Sequence, residues 1–223
     1  MGGVIFFENH MSNILIKNAK VIATMDNDLR ELNNNSIYSE NGIIVEIGKC
    51  DNLNYQPDQI IDATDMVVIP GLINTHHHLF QNLTRCYPRS QNESLFGWLT
   101  NLYPVWNNIV PRDIYISALI GLSEMVISGC TTSSDHLYLF PNGSKLEDEI
   151  EAAKKVGCRF HATRGSMSIG VSKGGLPPDS LVENEEAILK DCQRVIEDFN
   201  DNSEFSMLRI ALAPCSPFSV SQN

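Results

Sequence analysis

Pro70-Gly71-Leu72-Ile73-Asn74-Thr75-His76-His77-His78 is the stretch on which the reading of this chain turns. LINTHHH reads as a buried strand that ends in three imidazoles. Side chains at i and i+2 of a strand share a face. His76 and His78 can therefore both reach one ion beyond the strand end, while His77 points the other way, toward a barrel wall or a helix layer. Imidazole is a good zinc ligand, and three histidines in succession are uncommon. The plainer alternative is an exposed polar strand end.

Two rhythms meet at Pro70. Upstream, ILI (14–16), VIAT (21–24) and IYS (37–39) read as short strands separated by Asn- and Asp-rich breaks. Asn41-Gly42 between Tyr38 and Ile43 is a hairpin turn signal, because both residues tolerate positive φ. QIIDA and MVVIP add two more strands. The expectation is a small β domain over 11–70, after a possible non-structural extension over 1–10. Downstream, over 71–223, strand alternates with helix. Helices are expected over 112–128, after Ser144-Lys145-Leu146-Glu147 and after Ser180-Leu181-Val182-Glu183, the last two tetrapeptides reading as capping boxes. Strands are expected over 130–135, 158–163 and 207–213. Four successive β/α units with right-handed crossovers imply a parallel sheet. Either an open doubly wound sheet or half of an eight-fold barrel fits. In a barrel, the C-terminal ends of the strands carry the active site, which is where His76 and His78 fall.

Composition narrows the classes. The 223 residues carry 16 Lys+Arg against 27 Asp+Glu, a net charge of −11, which argues against a sequence-independent nucleic-acid binder. With 43% hydrophobic and 19% charged residues, the chain reads as globular. No apolar run reaches the roughly 20 residues of a spanning helix, and Val4 to Phe7 is too short for a signal peptide. No membrane partner and a cytoplasmic location are expected. The six cysteines form no CxxC pair and read as structural thiols.

PGLINTHHH, preceded by IDATDMVVIP, resembles the amidohydrolase superfamily. HHLFQNLTR, ESLFGWLTNLYPVW, SGCTTSSDHLYLFP, RFHATRGSMSIG, GGLPPDS and IALAPCSPFSVS resemble its branch that deaminates or dechlorinates nitrogen heterocycles, nearest to 8-oxoguanine deaminases and hydroxyatrazine-type hydrolases. The likeness runs from about residue 13 onward. It implies the first half of a (β/α)8 barrel behind a small β-sandwich-like domain. It also implies one Zn²⁺ held in part by His76 and His78, with iron chemically allowed, and hydrolytic deamination of a purine-like ring by metal-activated water. Further histidine and Asp ligands and a proton-shuttling Glu are implied after later strands, beyond Asn223. The expectation is thus an amino-terminal portion with no catalytic acid or base of its own, inactive alone. The fourth-strand segment MLRIALAPCS lacks the Lys that bridges two metals in binuclear relatives, which favours one ion.

Five other residues are candidate ring contacts. Gln81 can read a heterocycle edge with both donor and acceptor. The rival reading is a solvated loop residue. Trp98, among Leu95, Leu99 and Leu102, is either core or a stacking wall. His136 is either a buried histidine bonded to a carboxylate or a neighbour of metal or substrate. Arg164 either hydrogen-bonds a ring carbonyl or anchors a loop through a salt bridge. Cys215 lines the pocket or serves as a ligand, and His161 reads as a packed core residue. Two competing functions stand beside deamination: removal of chloride or an alkylamine from a triazine, and a non-catalytic half-barrel. An open half-barrel leaves strand edges uncovered, so a homodimer or aggregation is expected.

Overall fold

The structure is a computed structural model that describes residues 13–49 and 55–221. The expected extension over 1–10 lies outside the described residues. The chain divides into two compact units, Met1–Pro70 and Gly71–Asn223.

The first unit is one five-stranded sheet. β1 (Ile14–Ala23), β2 (Glu31–Glu40), β3 (Ile43–Gly48) and β4 (Gln59–Asp62) lie in the order β3-β2-β1-β4, and β5 (Val67–Val68) pairs with β1. Asn41 (φ 51°) and Gly42 (φ 79°) make the expected hairpin turn between β2 and β3. ILI and VIAT, expected as two strands, are one. Asn18 adopts φ 60° and the register with β2 shifts between Ile16 and Ala19, so the polar break is a bulge and not a strand end. Ala19, Ile22, Ile37 and Ala63 form the small core of this unit.

In the second unit β6 (Leu72–Asn74), β7 (Cys130–Leu137), β8 (Arg159–Ser166) and β9 (Leu208–Pro214) are all parallel, in the order β6-β7-β8-β9. Spatial order follows chain order with no reversal. A doubly wound sheet needs a switch point where strand order reverses, so the arrangement is the first half of a (β/α)8 barrel. The helices are α1 (Leu95–Trp106), α2 (Pro111–Ile127), α3 (Leu146–Val156) and α4 (Glu185–Phe199). They cover one face of the sheet around a core that includes Trp106, Ile114, Leu122, Ile150, Phe160 and Val195. Among the described residues no helix is long and apolar enough to cross a membrane.

Three local expectations need correction. LINTHHH is not a buried strand: only Leu72–Asn74 pair as strand, and Leu72 and Ile73 are exposed at the sheet edge. Ser144 does not cap α3. Asp148 Oδ2 accepts from Lys145 N at 2.8 Å, one residue later, and Ser144 Oγ is left buried without a partner. Ser180 does not cap α4 either. Asn184 accepts from Glu186 N and Ala187 N there, which frees Glu183 for another role.

Candidate active site

The histidine triplet follows β6 as extended chain. The His77 carbonyl accepts from His136 N at 3.0 Å and so stays docked on β7. Beyond it the chain turns into a 3-10 segment, Leu79–Thr84. Leu79 N donates to Asp135 Oδ1 at 2.6 Å, and Leu79 O accepts from Ser117 Oγ of α2 at 2.6 Å. Asn82 Nδ2 donates to the Ser117 carbonyl, and Trp106 Nε1 of α1 donates to Thr84 Oγ1 at 3.1 Å. One strand and two helices thus hold this turn. Gly121 of α2 lets the helix approach, since a Cβ there would collide with Asn82 and Leu79 side chains.

His76 and His78 stand side by side with ring centroids 5.2 Å apart, and both line one cleft. His78 Nδ1 lies 2.8 Å from the His136 carbonyl. A carbonyl only accepts, so Nδ1 carries a proton, and in the neutral ring the free lone pair is on Nε2. A backbone bond of this kind fixes the tautomer and orientation of metal-binding histidines generally. His77 points away, its Nδ1 3.7 Å from the buried Asp135. The alternation read from the sequence therefore holds beyond the end of the regular strand.

His136 meets β9: its Nε2 lies 2.9 Å from the Ala213 carbonyl. The same logic places the proton on Nε2 and leaves Nδ1 as an acceptor. Burial, the largest cause, pushes its pKa below the usual histidine range, so the ring is neutral near pH 7. The bond is to a backbone carbonyl, not to a carboxylate, and Asp135 lies on the opposite face of β7. Gly165 makes room for this ring, because a Cβ there would stand 2.5 Å from His136 Nε2 and 2.6 Å from Leu137 O.

The cleft, of about 490 Å³, is lined by His76, His78, Gln81, Trp98, His136 and Cys215 together with Leu95, Leu99, Tyr103, Tyr138, Ser216 and Phe218. Gln81 Nε2 donates to Tyr138 Oη at 3.0 Å, so its amide is oriented and not solvated. Trp98 is half-buried, packing edge-on against Trp106 while lining the cleft, so it serves core and wall together. Burial raises the Tyr138 phenol well above its ordinary value, which keeps it neutral. No carboxylate is among these lining residues.

Arg164 is not brought to the cleft. It lies on the helix side of β8, 2% exposed, with Nε 3.0 Å from Asp191 Oδ2 and its two terminal nitrogens on the Glu183 carboxylate at 2.9 and 2.7 Å. The Phe140 ring packs 4.1 Å from its guanidinium carbon. The physical reason is strand alternation: Thr163 and Gly165 face inward, so Arg164 cannot. His161, expected in a core, is instead exposed on the inner face. Sequence reasoning missed Tyr138, which lies two residues beyond His136. The same period-2 rule that selected His76 and His78 selects it.

The described residues contain no group of three His, Cys, Asp or Glu poised around one ion. The cleft offers two neighbouring imidazoles, an oriented amide, a neutral histidine acceptor and aromatic walls.

Comparison with known proteins bears on the family and the fold. The amidohydrolase family profile matches residues 67–223. An 8-oxoguanine deaminase of Pseudomonas aeruginosa is 43% identical over 195 residues, covering 83% of this chain and 43% of the relative. A hydroxydechloroatrazine ethylaminohydrolase of Pseudomonas sp. strain ADP is 35% identical over 164 residues, covering 71% of this chain and 34% of that protein. Among solved structures, a zinc complex of an atrazine chlorohydrolase from Arthrobacter aurescens TC1 superposes with a TM-score of 0.87 at 32% identity. It covers 93% of this chain and 48% of the chlorohydrolase. The chain thus spans less than half the length of these relatives.

Proposed function

The chain belongs to the amidohydrolase family, and from that premise we propose that it carries the first half of the active site of a metal-dependent hydrolase that deaminates a purine-like heterocycle. His76 and His78 would hold one Zn²⁺ together with ligands from elsewhere in the whole protein. The observation that carries this reading is the bond from His78 Nδ1 to the His136 carbonyl, which leaves Nε2 as the nitrogen available to an ion in a cleft it shares with His76. Two imidazoles suit zinc. When bound, such an ion would supply Lewis acidity and a water activated at neutral pH.

The rest of the chemistry in this chain is binding and orientation. Trp98, Tyr103 and Phe218 bound a flat, apolar slot suited to a planar ring. Gln81, held by Tyr138, offers its carbonyl oxygen and a remaining N–H to the ring edge. His136 Nδ1 accepts from a ring N–H, while Cys215 closes the wall. Arg164, engaged by Asp191 and Glu183 on the helix side, has no part in ring binding. The nitrogen heterocycle is proposed as an 8-oxoguanine-like purine because the relative with that activity shares 43% of residues over most of this chain. Triazine dechlorination or dealkylamination is the competing outcome, favoured by the fold match to the chlorohydrolase.

The test is metal analysis of the purified whole protein, followed by ammonia-release assays on 8-oxoguanine, guanine and hydroxylated triazines. The expected result is about one zinc per subunit, as for a mononuclear site, with release from the purines and loss of both metal and activity in His76→Ala and His78→Ala. Full zinc content in those two variants would remove the proposal, and turnover of triazines alone would transfer it to the competing chemistry.

A further inference from the structure

Behind the histidine turn, on the helix side of β7, lies a group of buried polar atoms that the cleft does not use. Asp135 is 1% exposed and Glu149 of α3 is 0% exposed. Asp135 Oδ2 and both Glu149 carboxyl oxygens are buried without a hydrogen-bond partner when both groups are counted as acceptors only. None of the ion pairs among the described residues brings Lys or Arg to either acid. Among the described residues His77, from the segment after β6, is the basic group paired with Asp135, and its Nδ1 is 3.7 Å away, too far for a hydrogen bond. Two ionised carboxylates in such a place would each lack compensation, and buried groups of this kind neutralise instead.

The two acids are not equivalent. Asp135 Oδ1 accepts from Leu79 N at 2.6 Å, so one of its oxygens already has a donor. Glu149 receives no such donor; burial first, and then Asp135 from β7 and Asp148 on its own helix, disfavour a charge on it. We propose that the two carboxyls share one proton, carried by Glu149 and donated to Asp135 Oδ2, and that this pair positions the turn bearing His76 and His78. One proton satisfies the orphaned Asp135 oxygen and removes the uncompensated charge. Asp135 then stands as a fixed acceptor for Leu79 N, one residue beyond His78. Glu149 is a positioning residue: it touches neither cleft nor substrate, and it acts through Asp135 and the Leu79 amide. The positioning half rests on the metal reading above, whereas the shared proton does not.

The first measurement is infrared difference spectroscopy of the purified protein at pH 8, where ordinary carboxyls are ionised. The wild type is expected to show the C=O stretch of a protonated carboxylic acid, and Glu149→Gln to lack it. A wild-type spectrum without that band overturns the proposal whether or not any variant folds, as does a band that persists unchanged in Glu149→Gln. The second measurement is zinc affinity by chelator competition. Glu149→Gln, whose amide N–H replaces the acid O–H, is expected to bind within about twofold of wild type. Glu149→Leu, which fills the space without a donor, is expected to bind about 10–100-fold more weakly, as for other supports of metal-binding histidines. Equal affinity in Gln and Leu variants overturns the positioning role. A wild type that shows the band yet takes up no zinc overturns the metal reading and the positioning role with it, and leaves the shared proton established.

Discussion

Two imidazoles in this cleft are held by carbonyls rather than by carboxylates. The His136 carbonyl receives His78 and the Ala213 carbonyl receives His136, so each ring has a defined tautomer set by the backbone of a neighbouring strand. Gly165 is the permissive residue in this chain of contacts. Gly165→Ala is expected to push the His136 ring off Ala213 and to destabilise the fold by about 1–3 kcal/mol, as overpacking does. Imidazole ¹⁵N chemical shifts check it: His136 should lose its single-tautomer signature while His78 keeps its own. An unchanged His136 signature would show that the ring does not need the space. The histidine pair was legible in the sequence because i, i+2 alternation needs only local chain. The Asp135 contact to Leu79 was not legible, since its partners lie 56 positions apart and nothing local aims one at the other.

At the level of elements, the helix layer is joined by an ion network instead of by the expected caps. Glu183, released from a capping role, clamps Arg164, and Asp191 of α4 bridges Arg164 to Arg194, which reaches Glu147 of α3. Arg164→Met is expected to cost about 3 kcal/mol, the lower end for breaking a buried pair, because Glu183 and Asp191 keep part of their surface in water. Denaturant unfolding measures that loss. If Arg164 served the ring, the variant would instead lose binding with stability intact, and zinc content is expected to be unchanged. The β/α rhythm was readable from apolar periodicity. Cap identity was not, because Ser, Asp and Asn within a few residues all offer the same oxygen, and tertiary partners choose among them.

Across the whole molecule, the four parallel strands leave β6 and β9 each paired on one side among the described residues, with Ile73 at 69% and Leu212 at 47% exposure on those terminal strands. A polypeptide of these 223 residues made alone is expected to self-associate through such edges. Sedimentation velocity should show species larger than a monomer, diminished by Ile73→Lys with Leu212→Lys; a clean monomer at high concentration would contradict it. The barrel half itself was readable from strand succession, whereas the choice between barrel and open sheet needed the pairing order. One last consequence concerns how the protein can be made. Asn82 gives an amide hydrogen to Ser117, and Asn142 gives its amide to the carbonyls of Asn107 and Ile109, tying the turn after β7 to the link between α1 and α2. Both asparagines begin Asn-x-Ser/Thr tripeptides, Asn82-Leu83-Thr84 and Asn142-Gly143-Ser144. A eukaryotic secretory host would attach sugar to those same nitrogens. The glycan would replace one hydrogen on each of those nitrogens, one in the histidine turn and one at the helix link, so such a host would alter two amides that this fold uses as donors.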